Sequence, residues 1–588
     1  MKFLTLKQLF ISGLITVVAA GPTKNITFNV ISLVPNNQAL GVIIDEKVYP
    51  LTKVNEASTL LHYGDAPSPS SGYKYAILQK DTNQVIESEN FTRENSPSES
   101  TLNEYYGRSW NSYNNLTKLP LIMEPLPIIN RIESDLHIDN EIPTVHFYGD
   151  QAQIDNLHNN QMEDIDVNLN MAYISPKDVK LYENVTISVS GMSTRRMSKL
   201  SYKFKLPKKQ DLFGYRRIKL RAMASDYTYM RDSLGYAIAE SVGLPTTKHS
   251  YVRVYINDKA VGLFGLVEHI KDEWVQNEFG NGSKKFKHGA LFVADINVKQ
   301  PNTTSATNMT KRDGAMDSIL AGRNEIDNPK AVSSLLYLGN NISDYSLGQY
   351  AVKSDPSVGT ANYTRIMDFA KFISEQPTDH VDDSAAAIWE EKIDVDSFLR
   401  GLALEIVISD MDGYFGMSNN YMLYDDIENE RLVLSEQDLD LTMGVSTFNT
   451  SIMHGGNYTQ FPGFTARPLT SRLFQVPKFK KQFEKYLIKM TKELVNPVVL
   501  GPRIDQLFDM LYEDVSWDLA LPRLGKSLMP DFLSIVFGNG SDYTSVTNNP
   551  FHFAVYGPTM LNISMALTDW LPLRSSNLLS FFNETISQ

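Results

Sequence analysis

Between Ser409 and Gly444 two acidic clusters flank a pair of strand-like runs, SDMDGYFGMSNNYMLYDDIENERLVLSEQDLDLTMG. YMLY and RLVLS are rich in apolar and β-branched residues, and DDIENE between them supplies a polar turn, so the segment is expected to close as a hairpin. Closure brings Asp410, Asp412 and Asn420, ahead of the first strand, to the same end as Asp438 and Asp440, which follow the second. Oxygen ligands held together in this way suit Mg²⁺, a hard ion that keeps several waters and takes one or two carboxylates plus phosphate oxygens. Phosphoryl transfer uses such a set, with one carboxylate for the attacking hydroxyl and Asn and Asp for the metal. The same residues would also suit an acidic turn whose charges are solvated.

DGYFGMSNNYMLY, beginning at Asp412, and the later EQDLDLTMG resemble the paired signature of the spore coat protein H (CotH) kinase-like family, in its fungal, Mucorales-type branch. The resemblance reaches from about residue 140 to about residue 570. It implies that Asp412 is the catalytic aspartate and that Asp438 binds metal in the place of the kinase DFG aspartate. Asn420 is then a second ligand, and Asp440 supports the metal or orients Asp438. It also implies ATP as phosphoryl donor and Mg²⁺ or Mn²⁺ as the ion. Met411 stands where the family usually has Trp, and the spacing to Asn420 is longer than in bacterial members.

Two basic strands lie upstream. In SYKFKL, Tyr202, Phe204 and Leu206 fall on one face and Lys203 and Lys205 on the other; in RRIKLRAM, Arg217, Lys219 and Arg221 oppose Ile218 and Leu220. Neighbouring strands with cations on a shared face suit a triphosphate, and equally suit edge strands protected by lysine. GMSTRRMSKLSYKFKL resembles the family's RG-x-S-S…K-x-S-Y-K segment, with Ser190 in the place of its Arg. That resemblance makes Lys203 the first nucleotide candidate, ahead of Lys205 and Lys219, with Arg221 beside them. A helix ending at Gly243 and Pro245, with Ser225 or Asp226 as its cap, precedes the hairpin SYVRVYIND–AVGLFGLVEHI. Strands, one helix and a hairpin are the order of a kinase N-lobe. By resemblance Val267 to Ile270 is then the hinge against which adenine packs, with Glu268 a nucleotide contact. Neither G-x-G-x-x-G nor G-K-[ST] occurs, so a nucleotide would be held mainly by side chains.

The start of the chain reads as a secretory leader: Lys2 and Lys7, the apolar run LFISGLITVVAA, and small residues before a cut near Ala20. The run is too short to span a membrane comfortably, and LLSFFNETISQ lacks the pattern of a GPI signal. Asn-X-Ser/Thr acceptors at Asn25, Asn90, Asn115, Asn184, Asn281, Asn302, Asn308, Asn341, Asn362, Asn449, Asn457, Asn539, Asn562 and Asn583 fit a secreted glycoprotein. Cysteine is absent, which excludes disulfides, thiolate zinc sites and a cysteine nucleophile. A net charge of −13 argues against a nucleic-acid partner.

The expected architecture is α+β. Residues 1–20 are the leader, residues 21–130 form a small all-β module, and residues 140–575 form an atypical protein-kinase-like domain with a β-rich N-lobe and a helical C-lobe. ENSPSESTLNEYYGRSWNSYNNLTKLP reads as a polar connector, and 298–345 as a long surface insertion. VDSFLRGLALEIVISD is a strongly apolar helix that delivers its end to Asp410. Three functions follow. The first is a secreted or wall-associated Ser/Thr kinase acting on protein. By family resemblance, the second is a surface invasin or adhesin that engages a host-cell receptor. The third is a structural spore-coat glycoprotein.

Overall fold

A computed structural model of the chain describes residues 24–94, 99–191, 193–294, 332–346, 350–446, 448–528, 549–559 and 564–586. The expected leader, the acceptors Asn302, Asn308, Asn539 and Asn562, and most of the 298–345 insertion lie outside those residues. The chain forms two compact units, Met1–Asn111 and Ser112–Gln588.

In the first unit, alternating apolar residues build two four-stranded sheets. Strands β1 (Asn25–Ile31), β4 (Lys53–Asn55), β5 (Ser58–Pro67) and β8 (Ser100–Tyr105) form one, ordered β4-β5-β1-β8. The other is β3-β2-β6-β7, from β2 (Gln38–Ile44), β3 (Lys47–Leu51), β6 (Lys74–Gln79) and β7 (Val85–Ser88). Phe28, Val30, Leu40, Val42 and Tyr75 share the core. β8 lies inside the stretch whose composition reads as a connector. Its strand is sustained by polar contacts rather than apolar burial: Thr101 Oγ1 accepts from the Asn29 N–H at 2.8 Å, and Glu104 accepts from the Tyr75 hydroxyl at 2.7 Å.

The second unit begins with a closed barrel. Its strands are β9 (Thr144–Tyr148), β10 (Val167–Ile174), β11 (Val179–Ser190), β12 (Ser201–Lys205), β13 (Arg217–Arg221), β14 (His249–Ile256) and β15 (Lys259–Glu268), ordered β10-β11-β12-β13-β15-β14-β9. Alternation sends Tyr202, Phe204, Ile218, Leu220 and Leu266 into the barrel core. Lys203, Lys205, Arg217, Lys219 and Arg221 are left on the outer face by the same period of two. Helix α1 (Gln151–Asn159) follows β9, and α2 (Arg231–Ser241) joins β13 to β14. Although α2 starts later than a cap at Ser225 or Asp226 implies, Asp226 still serves it. Its Oδ2 accepts from the Arg231 N–H at 2.9 Å, and Oδ1 takes the Arg231 guanidinium at 2.6 Å.

Beyond the barrel, α3 (Asp272–Phe279) leads to a second sheet ordered β17-β16-β18-β19, from β16 (Leu291–Ala294), β17 (Tyr350–Ser354), β18 (Tyr421–Asp426) and β19 (Arg431–Glu436). β18 and β19 pair from Tyr421↔Glu436 to Asp426↔Arg431, the hairpin that the sequence pattern implies. Helix α4 (Thr364–Glu375) and the apolar α5 (Val395–Ile408) intervene, and α6 (Pro477–Glu493), α7 (Leu500–Ala520) and α8 (Leu567–Phe581) follow. Phe398, Leu399, Leu402, Leu404, Ile406 and Ile408 of α5 are all buried, each worth about 1.5–3 kcal/mol. α6 turns Phe479, Phe483 and Leu487 inward, so its apolar face is core. α7 is pinned to the barrel: Asp514 grips Arg253 through two 2.7 Å bonds, and Asp518 accepts from Lys199 at 2.9 Å. Among the described residues no helix is long and apolar enough to cross a membrane.

Candidate functional site

The site grows from the end of α5. Asp394 caps the start of the helix by accepting from the Ser397 N–H at 2.9 Å. Ser409 closes it with a left-handed φ of 56°. The chain then folds back on the last turn. Glu405, fully buried, accepts the N–H groups of Tyr414 at 2.8 Å and Phe415 at 3.0 Å. Gly413 lies so close that an added Cβ would sit 2.6 Å from the Glu405 carboxyl carbon. Asp410 Oδ1 accepts from the Asp412 N–H at 2.9 Å. The loop that carries Asp412 is therefore tied to a buried helix end.

Two asparagines hold the Asp412 carboxylate. Asn420 donates through Nδ2 to Oδ2 at 2.6 Å and Asn419 to Oδ1 at 3.2 Å. The Asn420 carbonyl accepts from the Gln437 N–H at 2.8 Å, which joins the two ends of the hairpin and sets Asp438 beside the Asp412 loop. Asn420 at φ 55° and Asp438 at φ 60° both have left-handed backbone. For non-glycine residues that conformation is uncommon and collects at functional sites.

Arg221, projecting from the outer face of β13, stands among three carboxylates. It pairs with Asp232 of α2 at 2.6 Å, with Asp440 at 2.8 Å, and with Asp438. Ser225 donates to Asp440 at 2.5 Å. The Asp438 N–H donates to the Tyr236 hydroxyl at 2.9 Å, and the Leu439 N–H donates to Asp232 at 2.9 Å. Asp438 keeps 38% of its side chain accessible, whereas Asp440 keeps 11% and Asp232 4%. Asp438 is thus the most accessible of the three carboxylates around Arg221.

The nucleotide candidates separate. Lys203 and Lys219 are direct partners across β12 and β13, and the Asp438 charge acts on Lys219. Lys205 is exposed and is influenced by Arg217, Arg216, Glu273 and Lys208 rather than by the acidic cluster. Glu268 is 3% exposed and engaged elsewhere, paired with Arg131 and accepting from the Lys248 N–H at 3.1 Å. Val267 to Ile270 are where the chain leaves the barrel for α3.

Burial raises the Asp412 carboxyl well above the ordinary range, and the charges of Asp410, Asp438 and Asp440 add to it. Asp410 is raised likewise by burial and then by Glu405. Burial works to raise Asp438 too, but Arg221 and then Lys219 more than offset it and hold the group at about 2. Asp232 is pushed up to about 7 by burial, against the pull of Arg221 and with the push of Asp440. Asp232, Asp410, Asp412, Asp438 and Asp440 therefore share one neighbourhood, in which Arg221 and Lys219 supply positive charge. Carboxylates that raise one another in this way are short of positive charge, and a divalent ion supplies it. Among the described residues no three His, Cys, Asp or Glu side chains close into a metal cage. Mg²⁺ does not need one, since it is bound by one or two carboxylates with water and phosphate completing the shell. Asp438 and Asp412, whose carboxyl feels the Asp438 charge and holds the Asn420 amide, fit that pattern.

Asn419, Asp232 and Glu405 are the residues that the sequence pattern does not single out. The Asn419–Asn420 doublet is a visible signal, since either amide can reach an aspartate at this spacing. Asp232 lies in the first turn of an unrelated helix and gives none.

Comparison with known proteins gives consistent results. The family described as CotH kinase protein matches residues 187–518. Invasin CotH3 of Rhizopus delemar is 28% identical over 517 residues, 86% of this chain and 77% of that protein. Invasin CotH2 of the same fungus is 26% identical over 430 residues, 72% of this chain and 65% of that protein. Inner spore coat protein H of Bacillus subtilis is 23% identical over 338 residues, 57% of this chain and 78% of that protein.

Proposed function

Because the chain belongs to the fungal branch of the CotH kinase family, we propose that it transfers the γ-phosphoryl group of ATP to a Ser or Thr hydroxyl of a protein at the cell surface or outside the cell. The barrel acts as the N-lobe and the helices around α5 as the C-lobe of an atypical kinase. The observation that carries this reading is the junction of the Lys203–Lys219 pair with the Asp412–Asp438 cluster, cations for phosphate beside carboxylates for a metal.

Asp412 orients the acceptor hydroxyl and receives its proton, held in place by Asn419 and Asn420. The hydroxyl oxygen forms a bond to the γ-phosphorus while the bond from that phosphorus to the β–γ bridging oxygen breaks, leaving ADP. Asp438 and the Asn420 amide would hold Mg²⁺ or Mn²⁺, with Asp440 and Arg221 fixing the position of Asp438. The chemistry such an ion would supply there is neutralisation of the phosphate charge. Lys219 and Lys203 bind phosphate as point charges. The test is transfer of labelled γ-phosphate by the purified protein to itself or to surface protein extracts. Asp412→Asn should abolish transfer while retaining Mg-ATP binding, and Asp438→Asn should lose both.

A second reading follows from the relatives named invasins. As a surface or spore-coat protein the chain engages a host-cell receptor, with or without phosphotransfer. That role needs none of the carboxylates. Cell binding that survives Asp412→Asn and Asp438→Asn, in a wild-type protein that transfers no phosphate, favours it over the kinase.

A further inference from the structure

Of the glycosylation acceptors in the chain, Asn115 stands beside a cluster of exposed aromatic rings. Its segment is fastened to α7. The Thr117 N–H and hydroxyl both donate to Gln506 Oε1, at 2.9 and 2.8 Å, and the Thr117 carbonyl accepts from Arg503 at 2.8 Å. The Tyr113 phenol is hydrogen-bonded to the side chains of Asn115 and Asp509. Asn115 itself is exposed. It therefore lies over the surface of α7 at Asp509, and Tyr512 follows one turn further along the same helix face.

Tyr512 leaves 42% of its surface to solvent. Its ring lies 5.5 Å from that of Phe508, which stacks on Phe551 at 4.7 Å and meets Tyr556 edge-on at 4.8 Å. His552, also exposed, lies 5.2 Å from Tyr556. Phe551, His552 and Tyr556 belong to a short helix, Pro550–Tyr556. Polar groups rim the rings. The Tyr556 hydroxyl donates to Asp505 at 2.8 Å, Asn549 donates to the Tyr512 hydroxyl at 3.4 Å, and Asp505 and Asp509 are both exposed. Aromatic faces edged by carboxylates suit a neutral sugar. Its C–H groups pack on the electron-rich ring face, and its hydroxyls donate to the carboxylates.

We propose that Asn115 carries an N-linked glycan whose first sugars pack on Tyr512 and the rings beside it. Attachment joins Asn115 Nδ2 to C1 of the first sugar of a lipid-linked oligosaccharide pyrophosphate. The bond from C1 to the phosphate oxygen breaks, the lipid pyrophosphate leaves, and the amide gives up one proton. A sugar ring is comparable in length to one helical turn, about 5.4 Å, so the first sugars cover the step from Asp509 to Tyr512. The glycan shields aromatic surface that otherwise faces water, and the clamp on Gln506 and Arg503 restricts the direction in which it leaves the chain. The inference needs passage through a glycosylating secretory route and is independent of phosphotransfer.

The test uses the full chain secreted from a eukaryotic host, as wild type, Asn115→Gln, Tyr512→Ala and the double variant. Glycopeptide mass spectrometry should find Asn115 occupied. Asn115→Gln should lower the urea midpoint and increase binding of a hydrophobic dye. Tyr512→Ala should lower the midpoint of the glycosylated protein, and by less than half as much in the Asn115→Gln background, where the sugar is already gone. Enzymatic removal of the glycan from folded wild type should reproduce the Asn115→Gln shift, which separates lost packing from misfolding of a variant. An unmodified Asn115 in the secreted protein overturns the proposal, as do equal shifts from Tyr512→Ala in the two backgrounds. If Asn115 is unmodified while a polysaccharide resin retains wild type and not Tyr512→Ala, the rings receive a separate carbohydrate and the proposal falls.

Discussion

The Arg221 guanidinium is ion-paired to Asp438, the most accessible of its three carboxylate partners, while also holding Asp232 and Asp440. One cation on β13 thus joins the barrel, α2 and the segment after β19. It orients Asp438 and holds it ionised, and its single charge is shared among three carboxylates.

Replacing Arg221 with Met should therefore strip three buried or half-buried carboxylates of their shared cation. Breaking a buried charge network from one side costs about 3–5 kcal/mol, to be read as a lower urea midpoint. A divalent ion can stand in for the guanidinium. Mn²⁺ should accordingly raise the melting temperature of Arg221→Met more than that of wild type. An equal rise in both would show that the ion does not bind among these carboxylates.

Asn420→Ala removes the 2.6 Å bond to Asp412 and, with it, the amide oxygen proposed as a metal ligand. Asn419→Ala removes only the longer 3.2 Å bond. Phosphotransfer by Asn420→Ala should need about tenfold more Mg²⁺, whereas Asn419→Ala should keep the wild-type Mg²⁺ dependence with a lower kcat. Titrating transfer rate against Mg²⁺ distinguishes them. The reverse pattern would make Asn419 the metal-side residue.

How much of this was legible follows from the range of each interaction. The β18–β19 hairpin and the outward lysines come from a period of two, a local property that sequence displays directly. The hairpin in turn places Asp412, Asn420 and Asp438 at one end, because antiparallel pairing fixes where its two ends meet. Arg221 reads from its strand as a phosphate contact, yet Asp232, Asp438 and Asp440 occupy it. Glu268 is similarly held by Arg131. Both pairings join residues far apart in the chain, which no periodicity records. β8 gives no strand signal for a different reason, since hydrogen bonds from Asn29 and Tyr75 replace the apolar pattern by which strands are recognised.

Acid should unfold the protein partly through buried neutral histidines. Burial holds His454 at about 3 and His158 at about 4, below their ordinary value of 6.5. As pH falls below about 6.5 the unfolded chain takes up protons that the folded chain refuses, so stability drops by about 1.4 kcal/mol per pH unit per histidine until the folded values are approached. The loss is confined to that acidic window, and each group is neutral in both states above it. His454→Asn should flatten the fall in urea midpoint between pH 6 and pH 4 relative to wild type. An unchanged slope would mean that His454 is protonated in the folded state.

The Lys199–Asp518 contact fixes α7 against the barrel and should be more costly to break than to replace. Asp518 is fully buried and accepts from Lys199 at 2.9 Å, the Tyr229 hydroxyl at 2.5 Å and the Leu263 N–H at 3.0 Å, with Arg523 at 3.2 Å. Lys199 is itself buried and lowered to about 8 by that burial, against the pull of Asp518. Asp518→Leu alone leaves an ammonium group without its counter-charge and strips the Leu263 N–H of an acceptor, a loss of about 3–5 kcal/mol. Adding Lys199→Met removes the stranded charge, and the ring faces of Tyr229 and Phe264, which the ammonium now overlies, can pack against the thioether. The double variant should then recover at least half of the loss, a coupling that additive single effects cannot produce. Urea titration of the four proteins measures it. If the two losses simply add, Lys199 draws its compensation from the Leu263 carbonyl and the aromatic rings rather than from Asp518.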